Sequence, residues 1–125
     1  MDFGITILIV DDFASMRRII KGTLKSIGFN NFIEAEDGAV ALKLLEKEKV
    51  GLIISDWIMP NMNGLEFLKA VKGNAKLKVI PFIMVTAEGQ KGNVLEAINA
   101  GVNNYIVKPF TPETLHAKLK KVLSN

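Results

Sequence analysis

Short apolar runs recur along this chain, and each ends at a residue that carries chemistry. ITILIV precedes Asp11 and Asp12, GLIIS precedes Asp56, IPFIMV precedes Thr86, and NYIV precedes Lys108. Runs of this length, rich in Ile and Val and without polar alternation, predict strands buried on both faces of a parallel sheet. Between them the spacing turns helical. Residues 13–27 place Met16, Ile19, Ile20, Leu24 and Ile27 at helical intervals, and Gly28 follows as a stop. Residues 38–48 carry Val40, Leu42, Leu44 and Leu45, residues 63–72 carry Leu65, Phe67, Leu68 and Val71, and residues 93–99 carry Val94, Leu95 and Ile98. A last helix is expected from Thr111-Pro112-Glu113 to about Leu123, with Leu115, Leu119, Val122 and Leu123 facing inward. NFIEA at 31–35 reads as a weaker strand between the first two helices.

Five strands alternating with five helices over short connections define a doubly wound α/β domain with a parallel central sheet. The chain has 125 residues, which predicts one domain over 1–125 with no output domain. No apolar run nears the roughly 20 residues that span a bilayer. The opening MDFGITILIVDD lacks the basic segment of a secretion signal. Without cysteine there is no disulfide frame, thiolate metal site or thiol nucleophile, so a cytoplasmic location is expected.

Net charge is +3, with lysines crowded at 69–78 and 118–121. These predict solvated helix faces rather than a nucleic-acid surface. Arg17 and Arg18 are the only arginines, and a nucleic-acid surface wants arginine interleaved with aromatics.

Ligand sites in parallel α/β sheets lie outside the carboxyl ends of the strands. Asp11, Asp12, Asp56, Thr86 and Lys108 therefore converge on one crevice. Adjacent carboxylates at a strand end repel each other unless a cation sits between them. Oxygen donors without His or Cys favour a hard cation, Mg²⁺ rather than zinc. Asp56 can act as a nucleophile and accept a phosphoryl group, with Thr86 and Lys108 as hydrogen-bond donor and counter-charge. Plainer readings exist for each. Asp12 can cap the helix starting at Phe13, Asp56 can bond its own turn, and Lys108 can snorkel to the surface.

The set Asp11-Asp12, Asp56-Trp-x-Met-Pro-x-Met-x-Gly64, Thr86-Ala-Glu and Tyr105-x-Val-Lys108-Pro-Phe resembles a bacterial response-regulator receiver domain over essentially the whole chain. Within that family it is most similar to the single-domain chemotaxis regulators. The resemblance implies a flavodoxin-like sheet of order 2-1-3-4-5. It implies that Asp56 is the phosphoacceptor and that Mg²⁺ is held by Asp12, Asp56 and the Ile58 carbonyl, with Asp11 acting through water. Thr86 and Lys108 would bind the phosphoryl group together with the backbone amides of Trp57 and Ala87. The Lys108–Pro109 bond would be cis, and Tyr105 would be a rotamer switch coupled to Thr86. Ile58 departs from the polar residue common in chemotaxis regulators, which bears on hydrolysis and on any phosphatase acting there.

As partners the resemblance implies a chemotaxis-type histidine kinase, the flagellar motor switch protein and a phosphatase, for a monomer that binds neither nucleic acid nor membrane. A non-motor phosphorelay is the alternative within the family. The output surface is expected to present Lys91, Val94, Ile98, Tyr105 and Lys118. Two other classes fit less well. An aspartyl-phosphate phosphatase needs Asp-x-Asp spacing and a larger chain, and a flavin carrier needs a hydroxyl-rich loop where Asp11-Asp12-Phe13-Ala14 stands.

Overall fold

A computed structural model describes residues 1–87 and 91–123, with the backbone alone at 91–93. Its strands are β1 (Thr6–Val10), β2 (Asn31–Ala35), β3 (Leu52–Asp56), β4 (Phe82–Ala87) and β5 (Asn104–Lys108). Its helices are α1 (Ala14–Ile27), α2 (Gly38–Lys47), α3 (Gly64–Lys72), α4 (Lys91–Asn99) and α5 (Pro112–Leu123). All strand pairings are parallel, in the order β2-β1-β3-β4-β5. This is the flavodoxin-like arrangement that the resemblance implied. Among the described residues no helix is long and apolar enough to cross a membrane.

Alternate residues of the buried strands feed two separate cores. Leu8, Val10, Ile53, Phe82 and Met84 pack with Ala41 and Leu45 of α2, Phe67, Leu68 and Val71 of α3, and Ala97 of α4. On the opposite face Ile7, Ile9, Ile54, Ile83, Val85 and Ile106 pack with Ile20 and Leu24 of α1 and Leu115 and Leu119 of α5. Burial on both faces is why the strands read as continuous apolar runs.

Two helix ends follow backbone logic. The Gly28 N–H bonds the Leu24 and Lys25 carbonyls and the Phe29 N–H bonds Leu24, while Gly28 has φ 134°. A side chain is strained in that conformation, and the predicted stop at Gly28 is observed. At α3 the Asn63 side chain accepts from the Glu66 N–H, and the Glu66 carboxylate accepts from the Asn63 N–H. This reciprocal cap was present in the sequence as Asn-x-x-Glu.

Two expectations need correction. Ile19 is 58% exposed rather than buried in the core, and it lines an open hollow with Met16, Lys108, Pro109 and Phe110. Lys72, expected on a solvated face, is half-buried. Its ammonium donates to the Asn103 Oδ1 at 2.9 Å and to the Lys78 carbonyl at 3.3 Å.

Candidate functional site

Parallel strands end together, so their last residues share an edge. Val10 pairs with Ser55, Asp56 with Val85, and Ala87 with Lys108. The residues just beyond or at these positions meet in one pocket. Carboxylate oxygens of Asp11, Asp12 and Asp56 lie within 4.8 Å of one another. Lys108 Nζ stands 3.0 Å from Asp56 Oδ1 and 3.9 Å from Asp11 Oδ2. Lys108 is therefore an inward-facing counter-charge, not a snorkelling lysine, and the bond to Pro109 is cis.

Asp11 is fully buried, Asp56 is buried and Asp12 is partly exposed. Asp11 Oδ1 accepts from the Phe13 N–H at 2.9 Å, but Asp11 Oδ2 and Asp12 Oδ1 are buried without a hydrogen-bond partner among the described residues. Burial pushes the Asp11 carboxyl above its ordinary range, opposed by the Phe13 N–H. The neighbouring Asp56 charge adds to the push, Lys108 opposes it, and Asp12 adds again. The residue at the amino end of α1 is Phe13, with no side-chain cap bond, so Asp12 does not serve there as a helix cap. Two orphaned anionic oxygens in an oxygen-only cluster fit a hard divalent cation.

The loop after β3 is built to hold Asp56 in place. Ser55 Oγ donates to the Asp56 carbonyl at 2.9 Å, and the Gly64 N–H donates to the Trp57 carbonyl at 2.7 Å. A Cβ on Gly64 would collide with the Asp56 carbonyl oxygen and lie 2.8 Å from Trp57 Cα. Because the obstacles are backbone, Gly64→Ala is expected to cost about 1–3 kcal/mol by overpacking. Chemical denaturation measures this, and an unchanged midpoint would show that the loop yields freely. Asn61, at φ 64°, donates from its side chain to Asp37 Oδ2 at 2.9 Å. That bond, followed by the Val40 N–H, holds the Asp37 carboxyl below its ordinary range. Nothing in the sequence marked this pair, whose members stand 24 positions apart. Arg17 is a second unforeseen support: its Nη1 donates to the Asp11 carbonyl at 2.6 Å, while its Nε pairs with Glu34 at 3.0 Å.

The other expected residues fall as follows. Thr86 is buried at the end of β4, its Oγ1 3.5 Å from the Ala87 carbonyl, and Ala87 is exposed beside it. Ile58 is 65% exposed directly after the Asp56-Trp57 pair, and Trp57 is buried in the α2–α3 core. The Trp57 amide was expected to bind phosphoryl oxygen, but it donates to the Val85 carbonyl at 3.1 Å and so belongs to the sheet ladder. Tyr105 is half-buried, with Lys118 Nζ 5.1 Å from its ring centre and 3.3 Å from Asn104 Oδ1. Val94 is half-buried and Ile98 exposed on α4. Glu88 and the Lys91 side chain lie outside the described residues.

A doubly wound parallel domain with three carboxylates and a lysine at its strand ends is one well-defined class of protein. The response regulator receiver domain matches residues 7–120, and the chain belongs to that family. It is 54% identical over 118 residues to a chemotaxis protein CheY homolog of Campylobacter jejuni, covering 94% of this chain and 91% of that one. The structure of the chemotaxis response regulator CheY4 of Vibrio cholerae is similar, with TM-score 0.86, 38% identity and coverage of 95% and 98%. The receiver domain of sensor histidine kinase PA1611 from Pseudomonas aeruginosa has TM-score 0.87 at 25% identity, with coverage of 98% and 99%. That structure holds a magnesium ion coordinated in its active site cleft.

Proposed function

We propose that this chain is the phosphorylation-activated switch of a chemotaxis two-component system, working as a cytoplasmic monomer. A histidine kinase donates a phosphoryl group to Asp56, and the modified domain then docks on the flagellar motor switch. One observation carries the chemistry: an ammonium 3.0 Å from Asp56 beside a carboxylate cluster with two orphaned buried oxygens.

A carboxylate oxygen of Asp56 attacks phosphorus as the phosphorus–nitrogen bond of the donor phosphohistidine breaks, leaving an acyl phosphate and a neutral imidazole once that ring takes a proton. Asp12, Asp56 and the Ile58 carbonyl would hold Mg²⁺, with Asp11 acting through water. When bound, Mg²⁺ supplies positive charge against the phosphoryl oxygens. Lys108 exchanges its carboxylate contact for a phosphoryl oxygen, and Thr86 and the Ala87 N–H donate to the others. Neutralising charge that develops in the transition state is the main catalytic contribution.

Hydrolysis returns the switch to rest and needs a water behind phosphorus. An exposed, apolar Ile58 cannot orient that water, whereas Asn at the same position can. Ile58→Asn is expected to speed dephosphorylation several-fold, each tenfold being about 1.4 kcal/mol. A slower decay of the labelled variant would show that water is admitted elsewhere.

Output would leave through α4, β5 and α5, a surface that would present exposed Ile98, half-buried Tyr105 and Lys118. Such a surface suits an acidic amphipathic peptide. Movement of Thr86 toward the phosphoryl group would free space into which Tyr105 turns. Beryllofluoride, a phosphoryl mimic, is expected to raise affinity for such a peptide of the motor switch in the wild type and much less in Tyr105→Ala. Equal gains in both proteins would remove Tyr105 from the relay, and no gain in either would remove the motor reading.

A further inference from the structure

At the end of the sheet opposite the carboxylates, Lys72 closes a bridge between three segments. From the last turn of α3 its ammonium donates to Asn103 Oδ1 at 2.9 Å and to the Lys78 carbonyl at 3.3 Å, and it leans toward the Ile80 carbonyl at 3.5 Å. Burial lowers its pKa from the ordinary lysine value. Asn103 is committed on both sides as well. Its Oδ1 also accepts from the Phe82 N–H at 2.9 Å, and its own N–H donates to the Phe82 carbonyl at 3.1 Å. Lys72 thus ties α3 and the segment before β4 to the segment that joins α4 to β5.

The segment it grips is where α4 stops. The Gly101 N–H bonds the Ile98 carbonyl, the Val102 N–H bonds the Ala97 carbonyl, and Gly101 has φ 94°. That is a complete glycine-terminated helix end with both of its closing hydrogen bonds made. The helix body is held less firmly. Among its described side chains only Ala97 is fully buried, while Leu95 is 62% and Ile98 52% exposed. One end of α4 is clamped, and its length is lightly packed.

We propose that Lys72 is a positioning residue that fixes the carboxyl end of α4, so that α4 moves as a lever about residues 100–103. A helix anchored at its carboxyl end turns about that end when it is displaced, whereas an unanchored helix shifts as a whole. Neither Lys72 nor Asn103 touches the carboxylate pocket. Their effect can reach it through α3, whose first residue Gly64 bonds the Trp57 carbonyl, and through α4 and β4.

Hydrogen exchange on the whole chain tests this. Lys72→Met keeps the aliphatic stem and removes the ammonium, and Asn103→Ala removes the shared acceptor. Each variant is expected to exchange amides at 96–103 about tenfold faster, with β1 and α1 unchanged, as for a local opening rather than global unfolding. Lys72→Arg, which keeps charge and donors, should restore most of the protection. The proposal fails if protection falls evenly along the chain, or if 96–103 exchange as slowly as in the wild type. The use of this lever for output rests on the switch function proposed above, so a second arm adds beryllofluoride and Mg²⁺. Exchange should then change in the amino half of α4 alone in the wild type, and spread through 100–103 in Lys72→Met. A wild type that ignores beryllofluoride would sink the switch, while the clamp stands or falls on the untreated chains.

Discussion

Asp56→Asn is expected to take up no phosphoryl group from acetyl phosphate and Mg²⁺, whereas the wild type gains one per chain. The amide has nearly the shape of the carboxylate, so the fold should persist. What it lacks is the anionic oxygen, and an amide oxygen is a poor nucleophile toward phosphorus. The ion pair with Lys108 at 3.0 Å is lost in the same step, so the electrostatic preparation of the pocket goes with the nucleophile. Intact-mass measurement decides it. Labelling of the variant to the wild-type extent would place the acceptor elsewhere, with Asp11 and Asp12 the next carboxylates to replace.

Asp12→Ala is expected to weaken Mg²⁺ binding by about tenfold or more, since even groups outside the coordination shell commonly alter metal affinity by 10–100-fold. Trp57 is the only tryptophan and adjoins Asp56, so its fluorescence reports the titration. The substitution also removes one of the two buried oxygens that have no hydrogen-bond partner among the described residues. The metal-free variant should therefore be no less stable than the wild type, although it binds metal worse. An unchanged titration would exclude Asp12 from the cation site.

The strands and the pocket were legible because they follow from one constraint. A strand covered on both faces must be apolar throughout, so a polar residue is tolerated where it ends. Asp11, Asp56, Thr86 and Lys108 mark those ends. The supports of the pocket were not legible. Arg17 reaches the Asp11 carbonyl and Glu34 on the neighbouring strand, and Asn61 reaches Asp37. Such pairs depend on which elements and loops the fold brings side by side, which no periodicity encodes. Lys72 was misread for a related reason. A lysine at a helix end has the same local pattern whether its ammonium meets water or three carbonyl-type oxygens. Ile19 shows the limit of helical spacing itself, since the spacing admits it to the inward stripe of α1 while the fold leaves it exposed.

The orphaned oxygens of Asp11 and Asp12 have a thermodynamic corollary. Like charges packed together oppose folding, and a cation that binds only the folded chain opposes that penalty by mass action. At a free concentration ten times its dissociation constant, such a cation adds about 1.4 kcal/mol to the unfolding free energy. The melting temperature of the resting protein should accordingly climb with the logarithm of divalent cation concentration once the site begins to fill. A cell's magnesium level would then govern how long the protein endures as well as how readily it signals.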